Sequence, residues 1–310
     1  MRASNLTILT GMALFAAVLP GAAQATEAAA GHYVIGANAA PGAGIVPPEP
    51  GLYWASQTLY YQGTLGRSVQ LPIAGRIESG LQAGFFSTAI AGLYVPKLDL
   101  GNFSLAFSVA LPLQNLDARI FSGTRERSEN NWSFGDMVIT PVALGYRSGQ
   151  NFFQARLDIF APTGNYSTSS IANVGMNYWS FVPTIAYTRL GRNYDLSIGA
   201  GIDLNTRNPK TRYTSGAMFH LDATAIYDVA PGFGLGILAS MMSQVADDRG
   251  GIAARLNGFR GQSFAVGPIA RYNFQLGSAH LQTMFSWAPE FGVENRPTGN
   301  AFQFRVSGRF

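Results

Sequence analysis

From Leu52 onward, large apolar side chains recur at every second position over segments of about ten to sixteen residues, the period of a two-faced strand. Phe103, Leu105, Phe107, Val109 and Leu111 alternate with Ser104, Ala106, Ser108 and Ala110. Phe153, Leu157 and Ile159 alternate with Gln154, Arg156 and Asp158, and Leu196, Ile198, Ile202 and Leu204 with Ser197, Gly199, Gly201 and Asp203. Leu221, Ala223 and Ala225 face away from His220, Asp222 and Thr224. Phe302, Phe304, Val306 and Phe310 alternate with Gln303, Arg305, Ser307 and Arg309. With the fainter segments, the pattern predicts about twelve strands, near 52–63, 75–93, 101–112, 132–146, 152–162, 174–189, 194–205, 214–229, 233–243, 262–274, 279–288 and 300–310.

The connections alternate in length. Arg147–Asn151, Leu190–Asn193, Ala230–Gly232 and Gln275–Ser278 are short, whereas 113–131, 163–173, 206–213, 244–261 and 289–299 are long. A β-sandwich has no need of that asymmetry, but a membrane barrel with tight turns at one rim and larger loops at the other does. The expected fold is therefore all-β, a single transmembrane antiparallel β-barrel of outer-membrane type over 51–310. Closure also removes edge strands whose amides would otherwise face lipid.

In such a barrel the apolar face meets hydrocarbon and the other lines the lumen. Charges in mid-strand would each cost several kcal/mol if dry and unpaired, so they belong inside. Arg156, Asp158, Asp203, Met218, His220, Asp222, Arg271 and Arg305 are the expected lumen or substrate-path residues, and Met218, Met242 and Met284 would soften that surface toward apolar ligands. Tyr60, Tyr61, Trp132, Tyr146, Tyr227, Phe233, Tyr272, Phe274 and Trp287 fall near strand ends, where amphipathic rings favour the two membrane interfaces.

Composition agrees. Of 310 residues, 47% are apolar and only 12% charged, about half the ~25% usual for soluble domains. After the first 25 residues no apolar run approaches the ~20 needed for a spanning helix. Arg2, the apolar stretch Leu6–Leu19 and Ala23-Gln24-Ala25 read as a signal peptide over 1–25, cleaved near Ala25 on export to the outer membrane of a Gram-negative bacterium. Residues 26–50, rich in Ala, Gly and Pro, form a lead segment without periodicity. Tyr33, Val34, Ile35, Ile45 and Val46 would make it a plug at the periplasmic mouth; a periplasmic tail is the alternative. The formal net charge of +4 is too small to argue for nucleic acid. The surplus of basic residues in the long loops would suit outer-leaflet phosphates, those of lipopolysaccharide among them.

Candidate chemistry is sparse. The absence of Cys excludes disulfides and thiolate chemistry. Only three His occur, and His32 and His280 have no ligand-spaced neighbour, which argues against a metal site; no cofactor motif is present, since Gly199/Gly201 and Gly234/Gly236 lie inside strands at period two. His220-Leu221-Asp222 sets an imidazole and a carboxylate on one strand face, a selectivity group or an internal structural contact. A twelve-stranded outer-membrane enzyme of the lipase type would need a Ser beside a base, and the neighbours of His220 two residues away are Met218 and Asp222. No catalytic residue is assigned.

A last strand with alternating Phe302, Phe304, Val306 and Phe310 resembles the signal read by the barrel assembly machinery. Further stretches stand out along the chain: Gly31-His32-Tyr33, Pro47-Pro48 to Gly51-Leu52-Tyr53, Phe134-Gly135-Asp136 with Thr140-Pro141 to Leu144-Gly145-Tyr146, and Ala161-Pro162-Thr163-Gly164-Asn165-Tyr166. They continue through Asn173–Trp179 and Leu204-Asn205-Thr206 to Tyr213, Ser215, Gly216 and His220. In these stretches the chain resembles the meta-pathway phenol-degradation family. The resemblance implies an outer-membrane barrel that is transporter-like, with passage of small hydrophobic, aromatic solutes in a membrane of lipid and lipopolysaccharide. A structural or adhesive barrel with a filled lumen is the other reading.

Overall fold

The computed structural model describes residues 31–71, 75–122, 125–250, 260–277 and 279–310. The expected signal peptide over 1–25 lies outside them. Among the described residues there is no helix, and thirteen strands run in chain order: β1 (Gly51–Leu71), β2 (Gly75–Val95), β3 (Phe103–Ser122), β4 (Arg125–Phe134), β5 (Met137–Ser148), β6 (Asn151–Ala161), β7 (Ser180–Leu190), β8 (Tyr194–Asn205), β9 (Met218–Ala230), β10 (Phe233–Gln244), β11 (Gln262–Leu276), β12 (Ala279–Glu294) and β13 (Thr298–Arg309). Neighbours pair antiparallel, and β1 pairs with β13 from Tyr53↔Arg309 to Thr64↔Thr298. Twelve strands close a cylinder, and β4 is extra.

The extra strand corrects two boundaries. The expected strand 132–146 is interrupted at Gly135-Asp136, so β4 and β5 follow in line along one edge of β3, Leu113↔Phe134 above the break and Ala110↔Val138 below it. The backbone turns aside there because the Asp136 carboxylate accepts the N–H groups of Gly164 (2.8 Å) and Met176 (2.8 Å). The expected loop 113–131 is instead mostly the hairpin of β3 and β4. Its alternation is reversed relative to the membrane: Leu116, Ala118 and Ile120 line the cavity while Asp117 and Arg119 are exposed, as suits a wall standing in water above the hydrocarbon. Two other strands start late, β7 at Ser180 and β9 at Met218. Val174, Gly175 and Tyr178 are buried in the loop ahead of β7, so their apolar surface is spent on loop packing rather than on the lipid face.

The outer surface is a band of exposed apolar side chains, Ile90, Val109, Leu144, Ile185 and Ile237 among them. Two aromatic rows border it. At the short-turn rim, Phe103, Tyr146, Phe153 and Tyr187 follow one another with ring centroids 4.9, 6.3 and 5.0 Å apart. At the long-loop rim, Trp287 stacks on Phe302 at 6.1 Å and Phe302 neighbours Tyr60 at 6.4 Å. Tyr61 does not belong to this row. It points inward and donates to Glu290 Oε2 at 2.7 Å, as the register of β1 requires of the residue next to outward Tyr60.

Candidate functional site: the lumen and its lead segment

Residues 31–50 thread the barrel interior from the long-loop end to the short-turn rim. At the far end, His32 bonds Ser180 Oγ through Nδ1 (2.9 Å) and Asp136 Oδ2 through Nε2 (2.9 Å), with its ring stacked on Phe160 at 4.3 Å. Tyr33 donates its hydroxyl to both oxygens of Asp222 (2.8 and 2.9 Å) and lies flat on His220, centroids 4.4 Å apart and planes 10° from parallel. The Ala37 carbonyl accepts from Gln57 and Gln303 at 3.0 and 3.1 Å. The Gly42 N–H donates to Ser197 Oγ (3.0 Å) and that of Gly44 to Thr188 Oγ1 (2.8 Å). Glu49 meets Arg309 where β1 begins. A plug confined to the periplasmic mouth would be shorter: the segment runs through most of the lumen.

It lies mainly against one side. Tyr33 and Ile35 pack with Ile226, Leu238, Met242, Ile269 and Met284, all from β9–β12. Along β1–β3 larger inward residues such as Tyr53, Leu59, Phe85 and Leu93 are interspersed with Ala55, Ala83, Ala89, Ala91 and Ala110, and a cavity of about 2460 Å3 remains beside the segment. The alanines add to this space, since the backbone radius is fixed by strand number and a small side chain does not reach in from it.

The eight expected lumen residues all turn inward, but into different surroundings. Arg156, Asp158, Arg271 and Arg305 line the large cavity, whereas Asp203 and Met218 border a small pocket. His220 and Asp222 sit behind Tyr33. Both ring nitrogens of His220 lack a hydrogen-bond partner among the described residues, with Asp203 at 3.4 Å and Asp222 at 3.9 Å. Met242 and Met284 are covered by the lead segment rather than open to solutes. Arg156 binds Asp158 (2.8 Å) and Gln154 (2.7 Å), and Thr140 donates to the same Asp158 (2.7 Å). Arg271 bridges Asp195 (3.2 Å) and Asp228 (2.5 Å).

Sequence reasoning missed His32, whose partners lie 104 and 148 residues away. Ser180, His32 and Asp136 stand in the order of a hydrolase triad. Ser180 is 0% exposed and its hydroxyl donates to Asn205 Oδ1 at 2.6 Å, so the oxygen has neither a free approach nor an uncommitted proton. The trio ties the lead segment to the loop over 162–179 and to β7.

A closed antiparallel cylinder with a lipid-facing apolar band, two aromatic rows and an internal lead segment is an outer-membrane β-barrel. The chain belongs to the family described as "Putative MetA-pathway of phenol degradation", which matches over residues 62–306. Its structure is similar to that of an outer membrane channel from Pseudomonas putida, with a TM-score of 0.59 and 18% identity, covering 86% of this chain and 100% of that one. It is also similar to a FadL homologue from Pseudomonas aeruginosa, with a TM-score of 0.49 and 10% identity, covering 89% and 97%. No curated protein matches the chain in sequence.

Proposed function

We propose that the protein is a channel in the outer membrane of a Gram-negative bacterium that admits small hydrophobic solutes of phenol type by passive passage, with no cofactor and no covalent chemistry. The short-turn rim, where β1 begins and β13 ends, faces the periplasm; membrane lipid and lipopolysaccharide surround the band, and the barrel assembly machinery inserts it. The observation that carries the reading is the 2460 Å3 cavity walled largely by apolar residues along β1–β3 and bordered by residues 31–50, which no disulfide fixes in place. Polar solutes lose hydration on entering such a space, whereas aromatic ones gain apolar contact. The family description supports the choice of aromatic solutes. The threading of the lumen favours one rival, a structural barrel whose interior is permanently filled.

Deleting residues 31–48 and comparing uptake of labelled phenol, alkane and fatty acid in cells with and without the protein separates the two. The channel reading expects protein-dependent uptake of phenol and raised bilayer conductance after the deletion. No protein-dependent uptake of any of the three, with zero conductance in both forms, overturns it.

A further inference from the structure

We infer that the lumen carries a recognition site for an organic carboxylate, centred on Arg305, so that the solute held best is an amphiphile with an aromatic body and one anionic group. This deepens the uptake reading above and rests on it. Arg305 projects inward from β13, opposite Gln57 of β1 and Met284 of β12 in the register. It lines the large cavity. The other four arginines that line this cavity are paired in place, Arg156 with Asp158, Arg271 with Asp195 and Asp228, Arg296 with Glu290 and Arg309 with Glu49. Among the described residues Arg305 forms no hydrogen bond and no ion pair, and the charge that acts on it is the like charge of Arg156.

A guanidinium cannot escape that situation by losing its proton, because it stays charged at any working pH. Held within a barrel without a counter-ion, it lowers its energy most by taking a planar anion through two parallel N–H donors, and carboxylate has that shape. The apolar part of the site is adjacent. Gln57 pairs with Ala89 of β2, and Ala55 with Ala91, which pairs in turn with Ala110 of β3. All four alanines line the same cavity, a shelf of methyl groups beside the guanidinium on which a ring can lie. A free phosphate satisfies the charge but leaves the shelf unused.

The test is calorimetric binding of benzoate, phenol and inorganic phosphate at pH 7 to the full-length protein in detergent, for wild type, R305Q and R305K. Far-ultraviolet circular dichroism checks that each variant retains its strands. The expected results are tighter binding of benzoate than of phenol by wild type, a tenfold or greater loss for benzoate in R305Q with phenol unchanged, and partial retention in R305K. Phenol binding equal to benzoate binding, or benzoate binding unchanged in R305Q, overturns the anion site while leaving the uptake reading intact. Phosphate displacing benzoate at equal concentration overturns the requirement for an aromatic body. Binding of neither aromatic compound, together with no protein-dependent phenol uptake, overturns both.

Discussion

Gly44→Ala isolates the docking of the lead segment from the stability of the wall. A methyl group added at Gly44 would stand 2.6 Å from the Thr188 nitrogen, 2.7 Å from the Tyr187 carbonyl carbon and 2.8 Å from the Phe152 carbonyl oxygen. All three are main-chain atoms of β6 and β7, locked in the Phe152↔Thr188 ladder, so no flexible side chain yields. The segment must instead move off the wall, at an overpacking cost of about 1–3 kcal/mol. It would also lose the Gly44 N–H to Thr188 Oγ1 bond at 2.8 Å, about another 1 kcal/mol. A total of roughly 2–4 kcal/mol shifts the docked-to-undocked ratio by between about thirtyfold and about 700-fold. Gly31→Ala is the matched control, since an added methyl there meets nothing within 4 Å. Single-channel conductance in planar bilayers and the rate of protease cleavage within residues 31–50 report the change. Equal conductance and equal cleavage in the two variants would refute the steric reasoning.

Tyr33→Phe keeps the ring on His220 but removes the donor to Asp222, leaving Ser240 Oγ at 2.7 Å as a remaining donor to that carboxylate; docking should weaken by about 1.5–3 kcal/mol, and unaltered protease protection would count against it. Ile185→Arg places a charge at the middle of β7 on the lipid face, where Ile185 is 67% exposed; a cost of about 2–4 kcal/mol is expected in denaturant titrations from lipid vesicles, and no shift would mean that this face does not meet hydrocarbon. Glu129, on β4 above the membrane band, is pushed up by burial, but donation from Ser170 Oγ, Arg127 and the Ile171 N–H outweighs this and brings its pKa from 4.5 down to about 2. A carboxylate with a lowered folded pKa stabilises fully above the unfolded value and progressively less as pH falls toward the folded one. The loop over 162–179 should therefore loosen between pH 4.5 and about 2, read by hydrogen exchange, and Glu129→Gln should loosen it already at pH 7; exchange that ignores both changes removes the carboxylate as its tether.

The barrel was legible because lipid imposes a two-residue period with no exceptions to average over. A strand such as β8, whose predicted and observed ends coincide at Tyr194 and Asn205, has apolar residues on one face only because that face meets hydrocarbon. The period loses its meaning where the wall leaves the membrane. In upper β3 the apolar set Leu116, Ala118 and Ile120 turns inward, and the same alternation that marks a strand gives no sign that water lies outside it. The break at Gly135-Asp136 was hidden for another reason. Its cause is a carboxylate that collects donors from Gly164 and Met176, and such partners are set by the closed fold and not by neighbours in sequence.

The lumen was legible in direction but not in pairing. Alternation alone turns Arg156, Arg271 and Arg305 inward, yet which of them is neutralised depends on acids contributed by β6, β8 and β9. The lead segment carries still less signal, because its fit relies on what its side chains lack. Gly44 approaches the wall because it has no Cβ, and Ala39 and Ala40 are buried beside far larger residues. Small residues on both partners have opposite consequences: on the segment they let it lie close to β6–β13, and on β1–β3 they leave a gap between the points where Gln57 and Val95 reach it. The cavity is the difference between these two uses of one composition, and so it is set by the path of residues 31–50 as much as by the barrel. Any substitution that moves the segment must therefore change the volume open to solutes, even when every strand stays in place.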